Sequence, residues 1–192
     1  MCPQQIDVLL SNFLFPIVVA ITTYLLFDRL GEWRKRRNHS KLGIAIIASL
    51  QEEIRSGISV MKDALRSAKD KSSTAPPTAT PPGKSWSGMT TISDDVLLRI
   101  LATTDNKKFE GSHPRDCRIH CKNYFEHMCQ NYLSVLRESL ALVVKGMDWR
   151  DPLIKLLAET ESKYIAHAEG VDRMLDNAKA LLDSNAKSWF PK

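Results

Sequence analysis

Cysteine is scarce in this chain, four among 192 residues, which excludes the dense disulfide framework that holds small secreted domains together. Phe, Trp and Tyr together make up only 7%, so no large aromatic-rich enzyme core is expected. No stretch alternates apolar and polar residues over the length of a strand, which leaves no sheet to expect. Dinucleotide fingerprints, HExxH and GxSxG are all absent. The nearest approach to a phosphate loop, Gly83-Lys84-Ser85, has Thr78 where the first glycine belongs, and Pro81-Pro82 remove backbone donors that a phosphate needs. Nucleotide binding is therefore not expected there. The most informative absence is of charge: residues 8–27, twenty in a row, contain none.

That run, VLLSNFLFPIVVAITTYLLF, would span about 30 Å as a helix, the hydrocarbon thickness of a bilayer. Pro16 lies near its middle and predicts a kink rather than a break, because in lipid a helix satisfies its own backbone. A cleaved signal peptide fits poorly: residues 1–7 hold no Lys or Arg, and the run ends in bulky Leu25-Leu26-Phe27 with no small-residue cleavage site. The formal charge of +5 is concentrated just beyond, with eleven basic and six acidic side chains in residues 28–71. Arg29, Arg34, Lys35, Arg36, Arg37 and Lys41 form that flank. Basic flanks stay in the cytoplasm, which predicts residues 1–7 outside, one transmembrane helix over 8–27, and the remainder inside at the cell membrane. The same six side chains are the expected membrane-surface binding residues, and lipid is an expected partner.

Beyond the run, apolar residues recur at helical spacing. Leu42, Ile46, Leu50, Ile54, Ile58, Met61, Leu65 and Ala68 predict a buried stripe within the basic juxtamembrane and amphipathic segment, 28–69. Residues 70–85, with four prolines among Ser, Thr and Ala, predict a mobile linker. Residues 86–192 predict a helical domain: a short helix about 94–103 capped by Ser93, then long helices about 113–145 and 151–187. Their stripes are Cys121, Phe125, Met128, Tyr132, Leu136, Leu140, Val143 and Met147, and Leu153, Leu157, Tyr164, Ala168, Val171, Leu175, Ala178 and Leu182. The short joint at Gly146 makes the two antiparallel. Glu159, Glu161, Lys163, Glu169, Asp172 and Arg173 read as a solvated face. The fold class is all-α: one transmembrane helix and a cytoplasmic antiparallel bundle, resembling a coiled-coil hairpin.

Chemistry-bearing side chains crowd one place. His113, Cys117, His120 and Cys121 fall on one side of a helix and are of the types that bind zinc. Four tetrahedral ligands from one helix are unusual, however, and the alternative is that the cysteines are core residues. In the same stretch, Arg115-Asp116-Cys117-Arg118-Ile119-His120 resembles the active-site signature of HEPN-type helical ribonucleases over six residues. The resemblance implies Arg115 holding an RNA phosphate and His120 acting as acid or base, as imidazole chemistry allows. Neither constellation outweighs the rest of the chain. The sequence reads as a membrane-anchored interaction or scaffold protein rather than an enzyme, without a cofactor. Its partner is expected to be a protein or a second copy engaging the helical seams, and not nucleic acid.

Overall fold

The computed structural model describes residues 15–84, 119–160 and 163–187. Every regular element among them is helical: α1 (Phe15–Lys69), a π-helical turn (Asn123–Met128) leading into α2 (Cys129–Val144), α3 (Arg150–Ile154), a second π-helical turn (Lys155–Glu159), and α4 (Tyr164–Lys187). The expected helix at 94–103, the start of the helix expected at 113, and the part of the expected transmembrane segment before Phe15 lie outside the described residues.

α1 is a single 55-residue helix. Gly31 and Asn38-His39-Ser40, which sequence alone leaves as a potential break, pass through it without interruption. The helix buries Ser40, Gly43, Ile47, Leu50, Ile54, Gly57, Met61, Ala64 and Ala68. These positions alternate three and four apart, the heptad spacing that wraps helices into a left-handed coiled coil. Gln51 and Ile58 extend the seam on one side. The expected stripe is right at Leu50, Ile54, Ile58, Met61 and Ala68, but Leu42 is exposed and Ile46 and Leu65 are only partly covered. The seam runs through Ser40 and Gly43 instead, because small residues let a neighbouring helix come close.

α4 supplies the facing seam with Ala168, Val171, Leu175, Ala178 and Leu182, all buried. Cross-pairs give the direction: Lys62 meets Glu169, Arg55 meets Asp172, and Gln51 meets Asp176. Rising numbers on α4 pair with falling numbers on α1, so the two are antiparallel. Arg55 grips Asp172 at 2.9 Å and Asp176 at 3.1 Å. Buried Gln51 donates to the Asp176 carboxylate at 2.6 Å and more loosely to Asp172. Glu169 and Asp172 are thus clamps across an interface rather than members of a purely solvated face. Each exposed pair contributes about 0.2–1 kcal/mol, and their larger effect is to fix register. The Lys62 ammonium holds the Glu169 carboxyl below its usual range. That contribution is present at neutral pH and is lost as acid protonates Glu169.

The third member comprises the helical stretch from Ile119 through α2. Tyr124, Phe125, Met128, Cys129, Tyr132, Leu136 and Ser139 are buried. A π-helical turn inserts an extra residue per turn, and here adjacent residues, Tyr124 with Phe125 and Met128 with Cys129, both face inward. Toward its end the helix departs from the expected stripe: Ser139 is buried, while Leu140, Val143 and Met147 are exposed. The helix expected over 151–187 is divided. It leaves helical geometry at Thr160, which is extended, and resumes after Lys163, whose φ is +39°.

The Pro-rich segment is not a free linker. Pro76 is buried and Pro77, Pro81 and Pro82 are partly covered. Arg150 donates to the carbonyl of Ser73 at 2.6 Å and to that of Lys71 at 3.3 Å. An Asp70 carboxylate accepting from the Ser72 N–H and hydroxyl turns the chain at the end of α1, and the segment runs back until Pro81 lies beside Gly57. Prolines restrict the unfolded chain, so docking them costs less entropy than docking a flexible strand would.

Among the described residues, no helix is long and apolar enough to cross a membrane. The apolar part of α1 that is described, residues 15–27, measures about 20 Å along the axis.

Candidate functional site

The residues singled out by sequence separate into three groups. Arg115, His113 and Cys117 lie outside the described residues. His120 and Cys121 are adjacent but differ in environment: Cys121 is 1% exposed within the core, whereas His120 is partly exposed. His120 lies near His167 of α4, with ring centroids 6.0 Å apart and the planes tilted by 50°. Among the described residues, no group of three or more His, Cys, Asp or Glu side chains converges as a metal site. Sequence gives no hint of the His167 contact, because it depends on the pairing of helices 47 residues apart.

A second cluster is buried between α1 and the helical stretch from Ile119 through α2. The Tyr124 ring stands edge-on to Phe125, with centroids 4.8 Å apart and planes at 88°. Its hydroxyl sits over Gly57, where any side chain would collide with it. Beside it are the Cys129 thiol and, in electrostatic reach, Glu53. Burial pushes the Cys129 thiol up to about 11, with the Glu53 charge adding to the rise. A thiol in that state is protonated at neutral pH and is a poor nucleophile. With Cys2 and Cys117 replaced by Ser, the remaining Cys121 and Cys129 should resist an alkylating reagent in mildly alkaline buffer until the bundle is unfolded. Labelling of the native chain at the rate of free cysteine would contradict this assignment.

The third group is the largest feature that the fold leaves unexplained. Every residue over 15–29 is exposed, including Phe15 at 68%, Tyr24 at 73% and Phe27 at 70%. The pairing of α1 with α4 places Lys187, the last described residue of α4, level with about residue 40 of α1. The fully exposed residues 15–29 lie before that level and measure about 22 Å along the axis. Arg29, Arg34, Lys35, Arg37 and Lys41 are exposed and Arg36 is partly so. The Arg37 guanidinium lies 5.2 Å from the centre of the Trp33 ring, a cation–π contact that holds the two side chains together where the apolar stretch gives way to charge. Thr22, within the apolar stretch, donates its hydroxyl to the carbonyl of Val18, which satisfies it without water.

No protein-family model, no curated protein and no solved structure matches this chain.

Proposed function

We propose that the chain is a single-pass membrane-anchored scaffold. The segment 8–27 crosses the bilayer, with the preceding residues outside, and the helical bundle works at the cytoplasmic face of the cell membrane. The observation that carries this reading is the uncovered start of α1, apolar on all sides and continuous with the heptad helix of the bundle. A surface helix of a soluble protein is apolar on one stripe, whereas a helix apolar all round belongs in lipid or in a core, and the bundle offers it no core. The described 15–27 supply two thirds of the crossing length, and Val8 to Leu14 supply the remainder from sequence.

The interaction role rests on the far end of the bundle. Leu140 is 45% exposed and Val144 is 88% exposed, with Val143 and Met147 beside them. They lie next to the joint that meets the end of α1, and so at the pole away from the lipid. An apolar face of this kind marks a protein contact. A rigid helix that passes from bilayer to bundle fixes how far that face stands from the membrane.

Topology tests this reading. A reporter fused after residue 70 should behave as cytoplasmic, and one fused at the start of the chain as external. An external signal from the first fusion would overturn both the orientation and the assignment of the bundle to the cytoplasm.

A further inference from the structure

The six basic side chains near the root of α1 do not lie on one face. At 3.6 residues per turn, Arg29, Arg34, Lys35, Arg36, Arg37 and Lys41 point at about 0°, 140°, 240°, 340°, 80° and 120° around the axis. No uncharged arc exceeds about 100°, and residues 34–37 encircle the helix within a single turn. Among the described residues none of the six forms an ion pair with a carboxylate, although Arg55, Lys62 and Arg150 further along all do. A helix that lay flat on a membrane would carry its cations on one side, opposite its apolar face. Beneath a stretch that is apolar all round, the collar's exposed Arg29, Arg34, Lys35, Arg37 and Lys41 instead fit a helix standing upright among lipids, with headgroups on the sides left open, while Arg36 lies on the partly covered face with Leu30, Trp33 and His39.

We propose that this collar is a binding site for anionic phospholipid headgroups, which it gathers as boundary lipid around the helix. Phosphate oxygens accept from the guanidinium and ammonium donors, and guanidinium binds them in pairs. Trp33, held by Arg37, sits at the depth where an indole prefers the interface. The site rests on the anchoring reading above and adds to it a choice of lipid.

The test uses the full chain and a variant carrying Arg29→Gln, Arg34→Gln, Lys35→Gln, Arg36→Gln, Arg37→Gln and Lys41→Gln. Gln keeps helix propensity close to that of Arg and Lys, and unfolding of the bundle checks that it is intact. A third protein with the four arginines changed to lysine keeps the charge. Each is reconstituted in vesicles of phosphatidylcholine with a minority of phosphatidylglycerol and extracted in mild detergent, and the headgroups of the retained lipid are measured. The wild-type chain should retain phosphatidylglycerol enriched at least about fivefold over its share of the vesicle, the effect of one basic side chain engaged at the surface. The lysine variant should stay enriched, the glutamine variant should fall to the vesicle ratio, and high salt should reduce the enrichment. Equal ratios for the wild-type and glutamine chains overturn the proposal while leaving the anchor in place. Failure of the wild-type chain to enter vesicles at all overturns the anchor and the collar together. An unchanged lipid ratio with retention of added single-stranded RNA, lost in the glutamine variant, overturns it in favour of a nucleic-acid surface.

Discussion

Replacing Val18 and Ile21 with arginine should release the chain from the membrane. Both lie in the uncovered part of α1, at 56% and 55% exposure, so neither replacement removes a contact that holds the bundle. In lipid the cost is large: each arginine near the middle of a crossing helix disfavours insertion by about 2.5–3.5 kcal/mol, so the pair costs roughly 5–7 kcal/mol. That exceeds what the polar but uncharged Ser11, Asn12, Thr22 and Thr23 already impose on a run rich in Leu, Ile, Val and Phe. The expected result is a variant that leaves the membrane fraction for the soluble one, with the thermal unfolding of its helical domain unchanged. Retention of the double variant in the membrane fraction, at the wild-type proportion, would show that these residues do not face lipid. A loss of bundle stability would show that they pack against protein.

Gly57→Ala should destabilise the bundle, although alanine is the better helix former. By propensity alone the change gains about 1 kcal/mol in a helix interior. Here, though, Gly57 lies at a heptad position where the Tyr124 hydroxyl occupies the space a methyl group would take. Tyr124 is fully buried and set edge-on against Phe125, so its ring has no room to swing aside. Overpacking of this kind costs about 1–3 kcal/mol, and the confinement of the ring puts the cost near the upper end. A net loss of about 2 kcal/mol follows. Tyr124→Phe removes the colliding oxygen, so Gly57→Ala in that background should recover most of the loss. Denaturant unfolding of the four proteins measures the coupling directly. A Gly57→Ala protein more stable than wild type, or a loss that Tyr124→Phe leaves unchanged, would place the close approach elsewhere.

Helical class and most of the α4 seam were legible in the sequence, because Ala168, Val171, Leu175, Ala178 and Leu182 are apolar and sit at regular spacing, whereas the antiparallel partner of α4 is α1 rather than the helix before it. The α1 seam was legible only in part. Its register depends on Ser40, Gly43 and Gly57, residues that hydrophobicity does not mark, and the heptad becomes visible once small residues are counted as core. The end of the helix containing α2 was misread for the converse reason. Leu140 and Val143 extend the apolar periodicity and yet find nothing to cover them, since apolar spacing says which residues share a face and not whether a neighbour lies opposite.

The Pro-rich segment shows a different limit. Composition alone makes 70–85 a mobile linker, and nothing local reveals that Arg150, nearly eighty residues away, donates to the carbonyls of Ser73 and Lys71. Nor does sequence spacing show that Glu169 and Asp172 meet Lys62 and Arg55. Of the candidate sites, the basic flank is visible in the sequence as six residues within thirteen positions, and the continuous helix α1 spreads them around its axis. The His and Cys cluster was readable as a spacing but not as an environment. Cys121 turns into the core while its neighbour His120 faces His167, a difference set by helix pairing rather than by residue type.

Density-gradient flotation of the full-length chain with preformed vesicles, followed by alkaline extraction, bears most directly on the central claim. A helix that crosses the bilayer keeps the protein in the floating lipid layer after peripheral proteins have been stripped, and that is the result the account predicts. A chain that remains at the bottom of the gradient, monodisperse without detergent, would contradict it.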